Sequence, residues 1–193
     1  MATQVGIINM ALSKIGDWYI DTIADTTKQC TFALLHWDTV RDALIESYPW
    51  NFAIKRAKLD WAGTTPAFGY DHEWTLPTDY SRALMVSADD DLDNSVSIDF
   101  KIEGGVLRTS ENEVYLEYVA GVTTPASWPP SFCSLMACNL AALLAEPLGG
   151  MSETAKQQLM VDREMALVQA QANDFNERSN ETLGYYATIG CRE

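Results

Sequence analysis

The spacing of apolar residues changes twice along this chain, and this limits the folds that it can adopt. Up to Tyr48 apolar side chains recur every three or four positions, in one series of Val5, Ile8, Leu12 and Ile15 and a second of Ala33, Trp37, Val40, Leu44 and Tyr48. From Leu59 onward they alternate with polar ones, and the longer spacing returns after the stretch TTPASWPP. Because these periods belong to helices and to strands respectively, the sequence predicts helices at both ends of the chain and a β region between them.

Residues typical of helix ends mark the limits of the first two helices. Thr3 can cap the first helix, and Gly16 can follow its last turn. Asp25 or Thr26 can cap the second helix. Pro49 ends that helix, because the residue before a proline disfavours helical geometry.

The last two helices differ in character. The run SFCSLMACNLAALLAEPLGG is apolar on nearly all sides, so it should be the most buried helix, and Pro147 with Gly149-Gly150 should end it. Ser152 can cap a long and mostly polar fourth helix. The apolar stripe of that helix has regular helical spacing and consists of Val161, Met165, Val168, Ala172 and Phe175.

Alternating runs in the middle of the chain predict an antiparallel β unit. Gly104-Gly105 supplies a tight hairpin turn within DFKIEGGVLRTS, and the runs RALMVS and VYLEYV are further strands. The predicted fold class is therefore α+β. It consists of a four-helix bundle built from both ends of the chain (1–58 and 126–180), an inserted small antiparallel β unit that is sandwich-like or barrel-like (59–125), and an extended C-terminal arm (181–193).

The composition is strongly acidic, with 27 Asp and Glu against 13 Lys and Arg and a net charge of −14. This charge disfavours nonspecific nucleic-acid binding, although an acidic surface suits a passage to which DNA should not adhere. The N-terminus lacks a basic region and a cleavage site, and no uninterrupted apolar run approaches the ~20 residues of a membrane span. We therefore expect a soluble protein made in a cytoplasm. Its scattered cysteines should be reduced thiols: Cys30, Cys133, Cys138 and Cys191.

Motifs that carry catalysis or bind metals are missing from the sequence. Neither His36 nor His72 lies beside a G-x-S-x-G elbow, and HExxH, CxxC, P-loop and GxGxxG patterns are absent. In the acidic run SADDDLDNS, alternate aspartates match the first ligands of a calcium loop, but Asn94 and Phe100 stand where that loop needs Gly and Glu. The sequence predicts no enzyme activity, no cofactor and no metal site.

The stretch YPWNFAIKRAKL combines a helix stop with a cluster of basic residues. Pro49, Trp50 and Phe52 are expected to anchor the junction between the second helix and the β unit. The basic strip that follows consists of Lys55, Arg56 and Lys58. It either contacts an acidic partner or nucleic acid, or neutralises carboxylates of its own chain or of a neighbouring copy.

Several motifs, in this order, resemble the head-to-tail adaptor of short-tailed phages (podoviruses), also called tail tubular protein A. They are N-x-A-L-x-x-I-G from Asn9, Y-P-W-N-F-A from Tyr48, Y-D-H-E-W-T-L-P-T-D-Y-S-R-A-L from Tyr70, and W-P-P-S-F from Trp128. The resemblance spans roughly residues 2 to 175, and P-W-N-F-A is its most specific element. The acidic run from Asp89 to Asp93 and the tail after Asn180 have no counterpart in it.

The resemblance implies a structural virion protein without catalytic residues. Such a protein forms a twelve-subunit ring at the head–tail junction, between the portal protein and the tail nozzle (tail tubular protein B-like), and bounds the channel through which DNA leaves. In a closed ring of acidic copies, the basic strip is a candidate subunit interface because it can offset repulsion between neighbours. No membrane and no specific DNA binding are implied.

The C-terminal tail is a candidate docking arm for a partner protein. Its larger apolar side chains are Leu183, Tyr185, Tyr186 and Ile189, and tyrosine offers large contact area at low entropic cost. An arm folded back on its own chain is the alternative. Two other functions stay open for the whole chain: a tail-associated hydrolase acting on cell-envelope glycan, and a monomeric protein-interaction module.

Overall fold

The computed structural model describes residues 1–90, 97–148 and 150–177 of the chain and has an α+β fold, as predicted. Four helices account for both ends of the described chain: α1 (Gln4–Ile15), α2 (Lys28–Ser47), α3 (Pro130–Leu148) and α4 (Glu153–Asn176). The described residues between α2 and α3 form seven strands: β1 (Ile54–Lys58), β2 (Asp60–Trp61), β3 (His72–Thr75), β4 (Tyr80–Ser87), β5 (Lys101–Glu103), β6 (Val106–Thr109) and β7 (Tyr115–Ala120). Short 3-10 turns, Asn51–Ala53 and Pro125–Ser127, flank the strands.

The chain divides into two compact units, and the β unit is longer than predicted. One unit combines Met1–Arg41 with the described residues from Thr124 onward, and the other is Asp42–Thr123. The predicted start of the β insertion, residue 59 of the range 59–125, is therefore too late, because β1 already starts at Ile54. The alternation in β1 is hard to recognise because two basic residues follow one another there.

The ends of α1 follow the prediction. The Thr3 hydroxyl accepts a hydrogen bond from the Gly6 amide at 3.1 Å, and Gly16 adopts a left-handed conformation with φ 73°. Helix α2, in contrast, begins later than Asp25 or Thr26 would imply. Its first turn is capped by Thr27, whose hydroxyl accepts from the Cys30 amide at 3.3 Å.

Helix α3 is the core of the helical unit. It packs against both α1 and α4, and its buried residues cover all sides of its first four turns: Phe132, Cys133, Leu135, Met136, Ala137, Cys138, Leu140, Ala141, Leu144 and Ala145. Pro147 lies inside the last turn, so the helix ends one residue later, at Leu148. Closure of all four helices into a bundle remains a prediction.

Helix α3 is also the one described helix that is long and apolar enough to cross a membrane. Polar residues interrupt the stretch Pro130–Leu148, but its most apolar 18-residue window reaches a mean hydropathy of 1.4. More than half of its most apolar window (56%) is buried within the protein, as expected of the core helix of a globular unit.

The apolar stripe of α4 is exposed to solvent. Val161, Met165, Val168 and Phe175 expose between 50% and 66% of their surface, and Ala172 is exposed as well. The helix instead buries Leu159, Ala170 and Asp174. The regular spacing correctly identifies an apolar face of a helix, but the helix turns a different face toward α3.

The β unit contains two antiparallel sheets that contribute to one core. The three-stranded sheet has the order β1-β7-β4 and the four-stranded sheet the order β2-β3-β6-β5. Gly104 and Gly105 form the predicted turn between β5 and β6, both with positive φ. The shared core draws on both sheets: Leu59, Trp74, Val86, Leu107, Val114, Leu116, Tyr118 and Ala120.

Candidate functional site

The basic strip lies on β1, which is an edge strand of the three-stranded sheet. Each of its three cations pairs with a carboxylate of its own chain: Lys55 with Asp79 at 2.6 Å, Arg56 with Glu117 at 3.3 Å, and Lys58 with Glu113 at 3.0 Å. Charged side chains on an edge strand also hinder unwanted pairing with another sheet. The basic strip therefore neutralises carboxylates of its own chain, which is one of the possibilities that the sequence leaves open.

Pairing within the chain leaves the strip accessible. The side chains of Lys55, Arg56 and Lys58 are each about half exposed (52%, 55% and 52%). Exposed pairs of this kind contribute only about 0–1 kcal/mol each and exchange partners at little cost. A role of the strip at a subunit interface remains a prediction, and it would require these cations to be shared with a neighbour's carboxylates.

Lys58 has the most elaborate surroundings of the three. Its ammonium group lies 5.2 Å from the centre of the Tyr115 ring, in addition to its contact with Glu113. Hydrogen bonding to Glu113 and then to Tyr115 raises the pKa of Lys58, and the same contact with Lys58 lowers the pKa of Glu113. Both groups therefore carry full charge at neutral pH.

Asp79 is the central polar residue of the three-stranded sheet. One carboxylate oxygen accepts from the Lys55 ammonium at 2.6 Å, and the other accepts from the Tyr118 hydroxyl at 2.9 Å. Its backbone carbonyl accepts from the Gly121 amide at 2.7 Å. Asp79 therefore joins the turn before β4 to β1, to β7 and to the residue that follows β7. It is the aspartate of the Leu-Pro-x-Asp motif, whose structural role the sequence analysis did not identify.

The charges around Asp79 shift two pKa values in opposite directions. Hydrogen bonding to Lys55 lowers the pKa of Asp79 most strongly. Burial opposes this with the next largest effect, and the bond from Tyr118 lowers the pKa further. Burial first, and then the bond to Asp79, raise the pKa of Tyr118 to about 12. The resulting network is ionised at Asp79 and neutral at Tyr118 across the physiological range.

The predicted junction anchors lie between α2 and β1, and Trp50 is the most deeply buried of them. Trp50 is 1% exposed, and its indole N–H donates to the Leu44 carbonyl at 2.8 Å. Its ring meets Tyr48 edge-on at 4.7 Å and stacks on Phe52 at 6.3 Å. Helix α2 ends at Ser47, two residues before Pro49, and the aromatic cluster lies where the chain turns into β1.

The candidate docking arm cannot be placed. Leu183, Tyr185, Tyr186 and Ile189 lie outside the described residues, as do Asp91 and Asp93 of the acidic run. The docking role of the arm therefore stays a prediction from the sequence.

A shallow aromatic cleft of about 240 Å³ surrounds one of the two histidines. Its walls are Trp61, His72, Trp74 and Asn112. Trp61 and Trp74 are cross-strand partners in β2 and β3, and His72 meets Trp74 edge-on at 6.4 Å. Among the described residues, no carboxylate or nucleophilic side chain lines the cleft, so its walls do not assemble an acid–base pair. His36 lies within α2, far from this cleft in the sequence.

The shifted carboxyl pKa values lie on the opposite side of the normal value from that of a general acid. Those of Glu73, Asp79 and Glu113 are all lowered, chiefly by hydrogen bonds from Thr64, Lys55 and Lys58 respectively. A glycosidase acid needs a raised carboxyl pKa, so these groups are set for charge pairing rather than for proton donation at neutral pH.

The described cysteines are buried, and the described residues form no cluster suited to a metal ion. Cys30, Cys133 and Cys138 are free and buried, and burial raises the pKa of Cys30 and Cys133. A raised thiol pKa lowers the thiolate fraction and with it the reactivity. Among the residues that the structure describes, no group of three His, Cys, Asp or Glu side chains is placed to hold a metal ion.

Comparison with known proteins adds no assignment to these contacts. No protein-family model matches the chain, and no functionally characterised protein shows significant sequence similarity to it.

Proposed function

We propose that this protein is a structural component of a short-tailed phage virion, a head-to-tail adaptor. Copies of the chain form a ring, expected to have twelve subunits, between the portal protein and the tail nozzle. DNA leaves through the channel that the ring bounds. The net charge of −14 favours such a passage because an acidic wall repels DNA.

The observation that carries this proposal is the ordered series of motifs, together with what their residues do. Asn9 of the first motif exchanges two hydrogen bonds with the backbone of Ile20, at 2.8 and 2.9 Å. Trp50 of the second motif is the buried centre of the junction, and Asp79 of the third ties three parts of a sheet together. Motif residues that hold loops and junctions are expected of a protein that serves as a structural part.

Native mass spectrometry of the chain with the portal ring of the same phage tests the proposal, next to the chain alone. Twelve copies bound per portal ring are expected. Absence of any complex, at every ratio tried, would contradict the adaptor function. Binding of one copy to a different virion protein would instead support the interaction-module alternative.

The role of the basic strip can be tested in the same assay. Arg56 and Glu117 are directly opposite each other in β1 and β7, so exchanging them restores the pair within the chain. If the strip contacts a neighbour, Arg56→Glu should weaken ring formation on the portal, and the exchange Arg56→Glu/Glu117→Arg should not restore it. If the strip acts within its own chain alone, the exchange should restore assembly fully.

A matched control makes the same change from a positive to a negative side chain at a position outside the basic strip. Lys101→Glu reverses an exposed cation in β5, outside the strip, and should leave ring formation intact. Loss of assembly in this variant would show that net charge rather than the position of Arg56 governs the assay.

A further inference from the structure

Helix α4 has two apolar faces, and only one of them packs against the described part of its own chain. Helix α4 packs on α3, and Ala166 and the buried Ala170 face the start of α3 across a cleft that Pro130 and Ser134 also line. With 3.6 residues per turn, the exposed stripe of Val161, Met165, Val168, Ala172 and Phe175 lies roughly opposite that face. An amphipathic helix normally has one apolar face, so the second one indicates a further contact.

A second exposed apolar surface lies in the same unit, on the loop between α1 and α2. Trp18 exposes 79% of its surface, Tyr19 69% and Ile23 47%. Trp and Tyr are enriched among the residues that carry most of the energy of protein–protein binding. Trp18, Tyr19 and Ile23 together form a surface that we call the aromatic loop.

The backbone of the aromatic loop is held in place by side chains. The Asn9 amide group bonds to both the amide and the carbonyl of Ile20. The Asp25 carboxylate accepts from the amides of Asp21 and Thr22, at 2.9 and 3.2 Å. Ordering of a loop before binding lowers the entropic cost of association, so Trp18 and Tyr19 are presented in a form suited to docking.

Charge distinguishes between the ways in which two copies can meet. The aromatic loop carries Asp17, Asp21 and Asp25, so a loop-to-loop contact would oppose acidic groups in a chain that is already strongly negative. The C-terminal half of the α4 stripe is flanked by uncharged Gln169, Gln171 and Asn176. Contact between the loop and this C-terminal half of the stripe avoids that like-charge repulsion and covers apolar surface on both copies.

We infer that the exposed stripe of α4 docks on the aromatic loop of a second copy of this chain. One surface of each copy meets a different surface of the next, which is the heterologous contact that closed rings require. The inference deepens the proposed adaptor function and rests on it for ring closure. The exposure of both surfaces, the order of the loop and the charges around each surface support the contact itself.

The area available makes the contact weak when it acts alone. A handful of half-exposed apolar side chains offers on the order of 400 Å² per copy, about half of what one partner contributes to a standard interface. Free copies should therefore be mostly monomeric in dilute solution. The contact should become populated when a template such as the portal holds copies side by side.

Cysteine crosslinking between two single variants tests the contact. In a background with Cys191 replaced by Ser, Trp18→Cys chains are mixed with Val168→Cys chains, both alone and on the portal ring. The other native cysteines, Cys30, Cys133 and Cys138, are buried and should not react. Mixed dimers are expected to exceed either self-dimer, and the template should raise their yield at least about tenfold.

Two further variants complete the design. The pair Tyr19→Cys and Phe175→Cys probes the same contact at different positions, in case one substitution disturbs folding. Phe68→Cys, at a side chain that is 90% exposed in the β unit, serves as the matched control partner for Val168→Cys and should give only background crosslinking.

The outcomes separate this inference from the proposed function. Mixed crosslinks at both pairs support the contact, even if the portal binds nothing and the adaptor function fails. Dominant Val168→Cys self-dimers would overturn it in favour of a stripe-to-stripe contact. Twelve copies on the portal without mixed crosslinks at either pair would also overturn it, while leaving the adaptor function intact.

Discussion

Removal of the Asp79 carboxylate should destabilise the β unit through Tyr118 more than through Lys55. In Asp79→Ala the Tyr118 hydroxyl, on a residue that is 4% exposed, loses its acceptor. An unsatisfied buried polar group costs about 1–3 kcal/mol. The half-exposed Lys55 pair adds only about 0.2–1 kcal/mol. We therefore expect the free energy of unfolding to fall by roughly 2–3 kcal/mol in total.

Urea unfolding of the full chain, followed by tryptophan fluorescence and circular dichroism, measures this loss. A double-mutant cycle with Tyr118→Phe should give a coupling energy of about 1 kcal/mol or more, whereas the cycle with Lys55→Met should give less. If Lys55→Met alone costs as much as Asp79→Ala, the contact with the Tyr118 hydroxyl is not the larger contribution. A loss below about 0.5 kcal/mol in Asp79→Ala would refute the reasoning altogether, because that is the range of ordinary surface substitutions.

The same carboxylate should contribute to the acid sensitivity of the protein. Its folded pKa is lower than its unfolded value, so its stabilisation is fully present above the unfolded pKa, about 3.9. That stabilisation is lost as the pH falls through the folded value. Asp79→Asn keeps the shape without the charge and should therefore show a flatter loss of unfolding free energy below about pH 4. An unchanged acid limb would contradict this assignment.

Further substitutions test other parts of the fold. Trp50→Ala should lower the free energy of unfolding by about 3–5 kcal/mol because a fully buried indole is lost, while Trp50→Phe, which loses only the N–H bond to Leu44, should cost much less. Gly105→Ala should cost about 1 kcal/mol by thermal unfolding, since φ is 82° there. Thr3→Ala should cost about 1 kcal/mol through the lost cap, again by thermal unfolding. The folded pKa of Tyr118 is raised to about 12, so the fold favours the neutral hydroxyl and the unfolding free energy should fall as the pH rises above about 10. Tyr118→Phe should remove this fall.

Local rules explain why so much of the secondary structure is predictable from the sequence. Thr3 and Gly16 act within one turn of α1, and Pro49 restricts only its neighbour, so their effects do not depend on the rest of the fold. Gly104 and Gly105 form the predicted hairpin turn for the same reason, because positive φ is a local demand that glycine meets. Thr27, rather than Asp25 or Thr26, caps α2 because neighbouring cap residues compete and Asp25 is occupied by the amides of the preceding loop.

The sequence predicts which residues belong to the candidate site but not which residues they contact. The basic strip and the junction anchors are visible in the sequence, and Trp50 is buried as expected. The partners of the strip are not visible, because Asp79 and Glu117 lie 24 and 61 residues away from Lys55 and Arg56. Such pairs arise from strand order and register, which are properties of the whole sheet.

The sequence by itself determined the helical and strand periods, both ends of α1, the start of α4, the α+β class and the large acidic charge, because each of these depends on neighbouring residues or on simple counting. Only the tertiary structure decided which face of α4 is buried, since a helix with apolar residues on two sides can pack on either. It also decided that Asp79 joins β1, β4 and β7, and that Trp18 and Tyr19 are exposed on an ordered loop. Burial and long-range pairing are set by competition among all surfaces of the chain, and no local stretch of sequence contains that information.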